Sequence, residues 1–446
     1  MREVNKTIVS YIAPSVASLL VTFLYIAVDC IFVGRGVGGD ALAAVNLALP
    51  FAALLTSLAA LVAMGGASIA AIRLGRLDVR GAGEAASSSV AFTLIMTLVM
   101  TAVGMAFPDA IAVASGSSER LVPLTSEYIY YYSAFIVFSL LGICLSTFIR
   151  NDGRPGLAFW GMIAGAIANI ALGWLFIFPF GMGIKGAAIA SGIGQILAVV
   201  ILATHFFHPS AKLRLRLRGI DLRLTGKILL RGVPEFITQL SQPVTILCFN
   251  IVVMRQVGDI GVAAYAIICN LTSLMFAVQV GVANGMQPLF GRSYGEKNRP
   301  LTRYLLKAGV VVNLCATLLI YSLLWLWRGE IVSLFTTDAE LTAIAARGLS
   351  LYCLAPILAA FNILATAFFL STKRSGWAMA IAAARGCVLN VLLIMGGTAF
   401  FAGDAIWLPL VAVEALTMIL GIVLVRHSLR QRNPDSIVLR MNRNAA

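Results

Sequence analysis

Apolar residues run through this chain in blocks of twenty or more, with the charges confined to the gaps between them. About 20 apolar residues is the length an α-helix needs to cross a bilayer. Twelve such blocks are predicted, near 8–33, 42–72, 86–107, 122–149, 157–180 and 183–208, then 227–253, 260–290, 302–327, 340–371, 377–401 and 403–427. The two longest, 42–72 and 260–290, are expected to tilt or to extend past the membrane. The pattern predicts an all-α integral membrane protein with twelve transmembrane helices.

The segment KLRLRLRGIDLRLTGK (212–227) is the only long basic linker, and it divides the chain in half. One ungapped offset of 220 residues overlays the halves, placing Pro14 on Pro234, Gly38 on Gly258, Ala43 and Ala44 on Ala263 and Ala264, and Gly156 on Gly376. Six spans per repeat is an even number, so both repeats enter from the same side. The expected architecture is two six-helix bundles as parallel repeats, related by a pseudo-twofold axis along the membrane normal, with a cleft between them. The domains are then a first lobe over 1–208, a basic linker over 209–226, a second lobe over 227–427 and a basic tail over 428–446.

Polar residues inside the spans are few and ordered. In the first span Tyr11, Ser15, Ser18, Thr22, Tyr25 and Asp29 are spaced 4, 3, 4, 3 and 4, which puts them on one helix face. The seventh span repeats the register, with Glu235, Thr238, Gln242 and Thr245 at the places of Ser15, Ser18, Thr22 and Tyr25, while Asp29 falls on Phe249. A carboxylate at the centre of a span costs roughly 2.5–3.5 kcal/mol on insertion scales, so such a residue finds a partner or carries a proton. Asp29 is therefore a candidate proton or cation site; the alternative is a carboxyl held by neighbouring hydroxyls. Gln195 extends the candidate track of the first lobe. In the second lobe the candidates are Glu235, Gln239, Gln242, Asn250, Asn362, Arg385 and Glu414. Either Glu235–Arg385 or Glu414–Arg385 could equally be an ion pair that holds that bundle together.

Composition sharpens this picture. The 446 residues are 60% hydrophobic and 12% charged, more apolar surface than a soluble chain of this size can hide. Lys and Arg number 26 at the termini and in the loops after even-numbered spans, against five in the loops after odd-numbered ones. By the positive-inside rule both termini are cytoplasmic, and the net charge of +14 needs no nucleic acid to explain it. No small-residue cleavage site follows the first span, which is expected to be retained. The seven cysteines have no CxxC spacing, and no metal site, disulfide framework or cofactor is expected. His205, His208 and His427 lie at span ends and are expected to face headgroups. GRGVGG (34–39) and GMGIKG (181–186) read as turns, because neither follows a strand in a βαβ unit. With no GxxxxGK[ST], HExxH or GxSxG, ATP-driven pumping and common hydrolase chemistry are not expected, and neither is an enzyme.

Longer segments carry a resemblance. VDCIFVGR with DALAAVNLALP (40–50), FIRNDGRP (148–155), NIALGWLFIF (169–178), GVPEFITQLSQ (232–242) and QPLFGRSYGEKN (287–298) resemble the multidrug and toxic compound extrusion (MATE) transporters, in particular their bacterial MepA-like branch. The resemblance implies a monomeric multidrug antiporter in a bacterial cytoplasmic (inner) membrane. It would export amphipathic, often cationic small molecules in exchange for inward H+, with Na+ as the alternative, by alternating access. It further implies that Asp29, Asn169 and Thr22 form a cation-coupling site. Where relatives carry N-x-x-x-D, this chain has Asn169 followed by Gly173, which removes the second carboxylate of a sodium site and favours a proton on Asp29. Flipping of lipid-linked sugars is a second reading within the superfamily. It would call for a strongly basic cleft, and only Arg347 and Arg385 lie within spans.

Overall fold

The computed structural model describes residues 2–209, 211–215, 221–333, 335, 338–396 and 403–430. Parts of the expected linker (210 and 216–220), the end of the eleventh span (397–401) and the tail beyond 430 lie outside the described residues. Among those described there are fifteen α-helices and no strand. The first half contains α1 (Arg2–Gly36), α2 (Gly39–Gly75), α3 (Val79–Ala106), the short α4 (Pro108–Ala114), α5 (Val122–Asn151), α6 (Pro155–Ile177) and α7 (Gly183–Phe207). The second contains α8 (Leu222–Gln256), α9 (Asp259–Gly295), α10 (Arg299–Leu326), the short α11 (Arg328–Ser333), α12 (Ala339–Tyr352), α13 (Leu354–Ser371), α14 (Ser375–Ala383) and α15 (Pro409–Arg430).

Eleven of the described segments are long and apolar enough to cross a membrane, with α12 and α13 counted as one. The twelfth crossing is α8, which is 35 residues long but carries Lys227, Arg231, Glu235, Thr238 and Gln239 along its length. It packs between α2 and α14. The break between α12 and α13 has a local cause in Pro356, which has no N–H to give the carbonyl of Tyr352 four residues back. The eleventh span is regular only to Ala383, and then runs through two π-helical stretches, 384–388 and 391–395. The first stretch carries Arg385 and Asn390 lies between the two, and such local widening recurs at functional positions.

The 220-residue repeat is written into the backbone. Asp78 caps α3 by accepting from Gly81 N at 2.8 Å, and Asn298 caps α10 by accepting from Leu301 N at 3.1 Å. Ser18 Oγ donates to the Pro14 carbonyl at 2.7 Å, and Thr238 Oγ1 to the Pro234 carbonyl at 2.8 Å. Left-handed residues recur in pairs as well: Leu77 with Lys297, Gly153 with Lys373, Gly38 with Gly258 and Gly183 with Gly403.

The halves meet through α1 against α9 and α2 against both α8 and α9. Two apolar clusters join the halves, one built on Ile8, Ile12 and Met64 with Met286, Phe290 and Phe368, the other on Val62 and Ala63 with Leu224 and Ile228. All these residues lie toward the end of the molecule that carries the termini and most of the basic loops, here the basic end. The backbones approach so closely there that a Cβ on Gly65 would overlap the Ile228 carbonyl, and one on Gly232 the Leu61 carbonyl. The symmetry-related seam uses Gly285 against Ile12 and Gly281 against Val16. Hydrogen bonds add to the closure, among them Ser68 Oγ to the Leu370 carbonyl and Arg292 Nη2 to the Asn151 carbonyl. At the opposite end each cluster belongs to one half: Val33, Ala44, Ile177 and Ile184 in the first, Phe249, Tyr265, Tyr352 and Trp407 in the second. The lobes are closed together at the basic end and packed separately at the other.

One expectation is corrected. His205 does not face headgroups; its ring is 1% exposed and its Nε2 lies 2.7 Å from Asp152 Oδ2. The same carboxylate oxygen accepts from the backbone of Lys212 at 3.0 Å and Leu213 at 3.3 Å. The linker folds back over the end of α7 and buries the histidine, which its place at a span end did not reveal.

Candidate functional site

In the first lobe the polar stripe of α1 divides in two. Tyr11 and Ser15 lie in the seam with α9, and the Tyr11 hydroxyl comes within 3.4 Å of the Cβ position at Gly153. Further along, Thr22, Tyr25 and Asp29 are half-buried on the same helix. The hydroxyls spend their hydrogens on their own helix: Ser15 on the Tyr11 carbonyl at 2.8 Å, Ser18 on that of Pro14, and Thr22 on that of Ser18 at 2.9 Å. Asp29 makes no hydrogen bond or ion pair among the described residues, so the alternative of a carboxyl held by neighbouring hydroxyls finds no support in these contacts.

Asn169, on α6, is 4% exposed and donates from Nδ2 to Ser191 Oγ of α7 at 2.7 Å. Ser191 was not among the sequence candidates, although it stands one turn before Gln195. Gln195 is half-buried and faces α5, its Oε1 3.8 Å from the Cβ position of Gly142. A Cβ at Gly173 would sit 3.6 Å from the Phe32 ring and 4.0 Å from Ala190, which is ordinary contact. Phe32 follows Asp29 by one turn, so Gly173 faces α1 one turn along from Asp29.

The second lobe holds a polar cleft. A cleft of about 1170 Å³, counting its open mouth, is lined by Glu235, Thr238, Gln239 and Thr245 of α8, Thr272, Phe276 and Asn284 of α9, and Tyr352, Arg385, Asn390 and Glu414. Met64 is the contribution of the first lobe. Of the two ion pairs considered from the sequence, the pair formed is Arg385–Glu414: Nη2 and Nε of the guanidinium lie 2.7 and 3.2 Å from Oε1. The other oxygen, Oε2, accepts from Asn362 Nδ2 at 2.7 Å. Asn362 is fully buried and Glu414 is 3% exposed. Glu235 lines the cleft and makes no such ion pair among the described residues. Asn390 donates to Thr245 Oγ1 at 2.6 Å. Asn250 is half-buried on α8 beyond the cleft, and the side chain of Gln242 lies outside the described residues.

Why the cleft opens in one lobe follows from the repeat. Asn362, Arg385 and Glu414 stand 220 residues after Gly142, Gly165 and Gly194. In the first lobe a Cβ at Gly165 would come within 2.7 Å of the Gly194 carbonyl, and one at Gly194 within 2.6 Å of the Gly165 carbonyl. There α6 and α7 touch backbone to backbone. In the second lobe the same places carry a guanidinium, a carboxylate and an amide, which hold the corresponding helices apart and leave polar space. A cluster of three charged or amide groups survives in such surroundings because each hydrogen-bonds another.

Comparison with known proteins agrees with this architecture. The MatE family model matches the chain twice, over residues 14–175 and 234–395, an offset of 220 at both ends. The multidrug export protein MepA of Staphylococcus aureus (strain MSSA476) is 24% identical over 96% of this chain and 95% of its own length; MepA of Staphylococcus haemolyticus gives the same values. Among solved structures, one described as the outward-facing conformation of a multidrug resistance MATE family transporter superposes with a TM-score of 0.88 at 24% identity. A MOP superfamily transporter from Pyrococcus furiosus, described as having a binding pocket of reverse polarity, gives 0.89 at 23%; both alignments cover 95% of each chain.

Proposed function

The chain belongs to the MatE family, and from that membership we propose that it is a multidrug efflux antiporter of a bacterial cytoplasmic membrane. As a monomer it exports amphipathic, often cationic compounds in exchange for inward protons. The basic end is its cytoplasmic face and holds both termini, as the distribution of Lys and Arg supports.

The observation that carries the coupling is Asp29, a half-buried carboxylate in a span with no hydrogen-bonding partner among the described residues. A proton and a cationic compound both neutralise such a charge, so each displaces the other, and displacement across an alternating cleft is exchange. Glu235, facing the polar cleft of the second lobe, is the second carboxylate open to the same logic. Asn169 and Thr22 complete the first-lobe site. Gly173 in the place of a second acid favours H+ over Na+. Flipping of a lipid-linked pyrophosphate is disfavoured, because the one arginine of the cleft is already neutralised by Glu414.

The test is ethidium uptake into inverted vesicles under an imposed acid-inside gradient or a sodium gradient. Proton-driven uptake that Asp29→Asn abolishes, with folded protein retained, is the expected result. Uptake driven by sodium alone overturns the proton assignment, and normal transport by Asp29→Asn moves the coupling to Glu235.

A further inference from the structure

A second cleft, at the basic end, spans about 1110 Å³ counting its open mouth and lies between the lobes. Arg73 and Arg76 reach it from the end of α2, Lys227 and Arg231 from the first turns of α8, and Lys373 from the turn before α14. Ser375, the first residue of α14, also lines it, and that helix start has no side-chain cap. No carboxylate is among the described lining residues, and Arg76 and Lys373 have interactions of their own. Arg73 is engaged elsewhere in part, donating to the Gly81 carbonyl at 2.5 Å and lying 4.0 Å from the carboxylates of Asp78 and Glu84. Lys227 and Arg231 form no ion pair among the described residues.

The repeat supplies an internal comparison. Shifted by 220 residues, the places of Arg73, Arg76, Lys227, Arg231 and Lys373 are held by Ser293, Glu296, Thr7, Tyr11 and Gly153. That seam is closed by protein alone, through Arg292 on the Asn151 carbonyl with Tyr11 beside Gly153. Its partner seam instead gathers cations from both lobes, and like charges across a closing interface repel one another. An anion between them turns that repulsion into a bridge. The rim also presents an apolar surface, since Leu230, between Lys227 and Arg231, is 72% exposed. Cations beside an exposed leucine at the edge of the spans suit a ligand that is anionic at one end and a hydrocarbon at the other.

We propose that this cleft binds the phosphate of an anionic phospholipid headgroup, which ties α2 to α8 and holds the basic end shut. The lipid thereby favours the state in which the lobes are joined at that end, whichever compound is carried.

The experiment uses the full chain in nanodiscs of phosphatidylcholine, with or without phosphatidylglycerol. Lipid retained by the protein is read by native mass spectrometry. Closure is read by thiol labelling of Ser68→Cys, otherwise buried at the seam, in a background with the native cysteines replaced. Phosphatidylglycerol is expected to be retained and to slow labelling. Lys227→Gln with Arg231→Gln should lower retention on the order of tenfold or more and remove the effect on labelling. The exposed Arg76→Gln serves as a milder variant should the double one fold poorly, and Lys185→Gln at the opposite end should change nothing. Equal retention of both lipids, or loss of retention in none of the cleft variants, overturns the proposal. Inorganic phosphate slowing labelling in phosphatidylcholine alone, as much as phosphatidylglycerol does, assigns the cleft to a free anion and overturns the lipid.

Discussion

Arg385 grips Glu414 through two nitrogens on a single carboxylate oxygen, at 2.7 and 3.2 Å, inside the second lobe. Removing one partner strands the other charge, a loss of roughly 3–5 kcal/mol for a buried pair. Arg385→Met or Glu414→Gln alone should therefore melt far earlier in detergent than the wild type, and the double change Arg385→Met with Glu414→Leu should recover much of the loss. Additive losses would mean that the two side chains act independently.

Gly173 faces Phe32 with room for a side chain. Gly173→Ala should keep the fold and raise stability by about 0.5–1 kcal/mol through the helix interior. Gly173→Asp places a second carboxylate near Asp29 and should confer sodium-dependent transport on the vesicle assay. A variant that folds yet stays indifferent to sodium would separate ion choice from this position.

The glycine seam makes an equally direct prediction. Gly65→Ala forces a methyl group into the Ile228 carbonyl, and Gly232→Ala into that of Leu61. Each should destabilise the closed basic end by about 1–3 kcal/mol, the usual cost of overpacking. Labelling of Ser68→Cys from the basic side should rise several-fold; unchanged labelling would mean the helices slide past the added methyl.

His205 and Asp152 pin the linker to the first lobe. Losing the imidazole leaves a buried carboxylate oxygen short of a donor, at roughly 1–3 kcal/mol. His205→Ala should speed limited proteolysis between Lys212 and Lys227 while leaving the spans protected. A linker cut no faster than in the wild type would show that the backbone donors of Lys212 and Leu213 suffice.

Much of this molecule is legible in its sequence, because the bilayer imposes so few solutions. The span positions follow from length and apolarity, and the repeat from a constant offset that the caps at Asp78 and Asn298 carry through to hydrogen bonds. The span of α8 follows from its apolar run at 227–253, and its polar face repeats the register of α1. The choice between Glu235 and Glu414 as partner of Arg385 could not be read, since both lie at compatible depth and only the turn of the π-helical stretch decides the direction of the guanidinium. The cleft of the second lobe was within reach: aligning Gly142, Gly165 and Gly194 with Asn362, Arg385 and Glu414 predicts where helices touch and where they stand apart. His205 was out of reach, because the turn of the linker back over it leaves no mark in the apolar pattern.

Where Gly65, Gly232, Gly281 and Gly285 bring backbones together, the lobes meet main chain against main chain, between the apolar clusters that join them. At those four points the glycines themselves have no rotamers to rearrange, unlike interdigitated leucines. Under the proposed alternation, a ligand with modestly unequal affinity for the joined and the parted lobes tips the balance. In such a machine the smallest residues set the threshold, and the ionisable ones need only reach it.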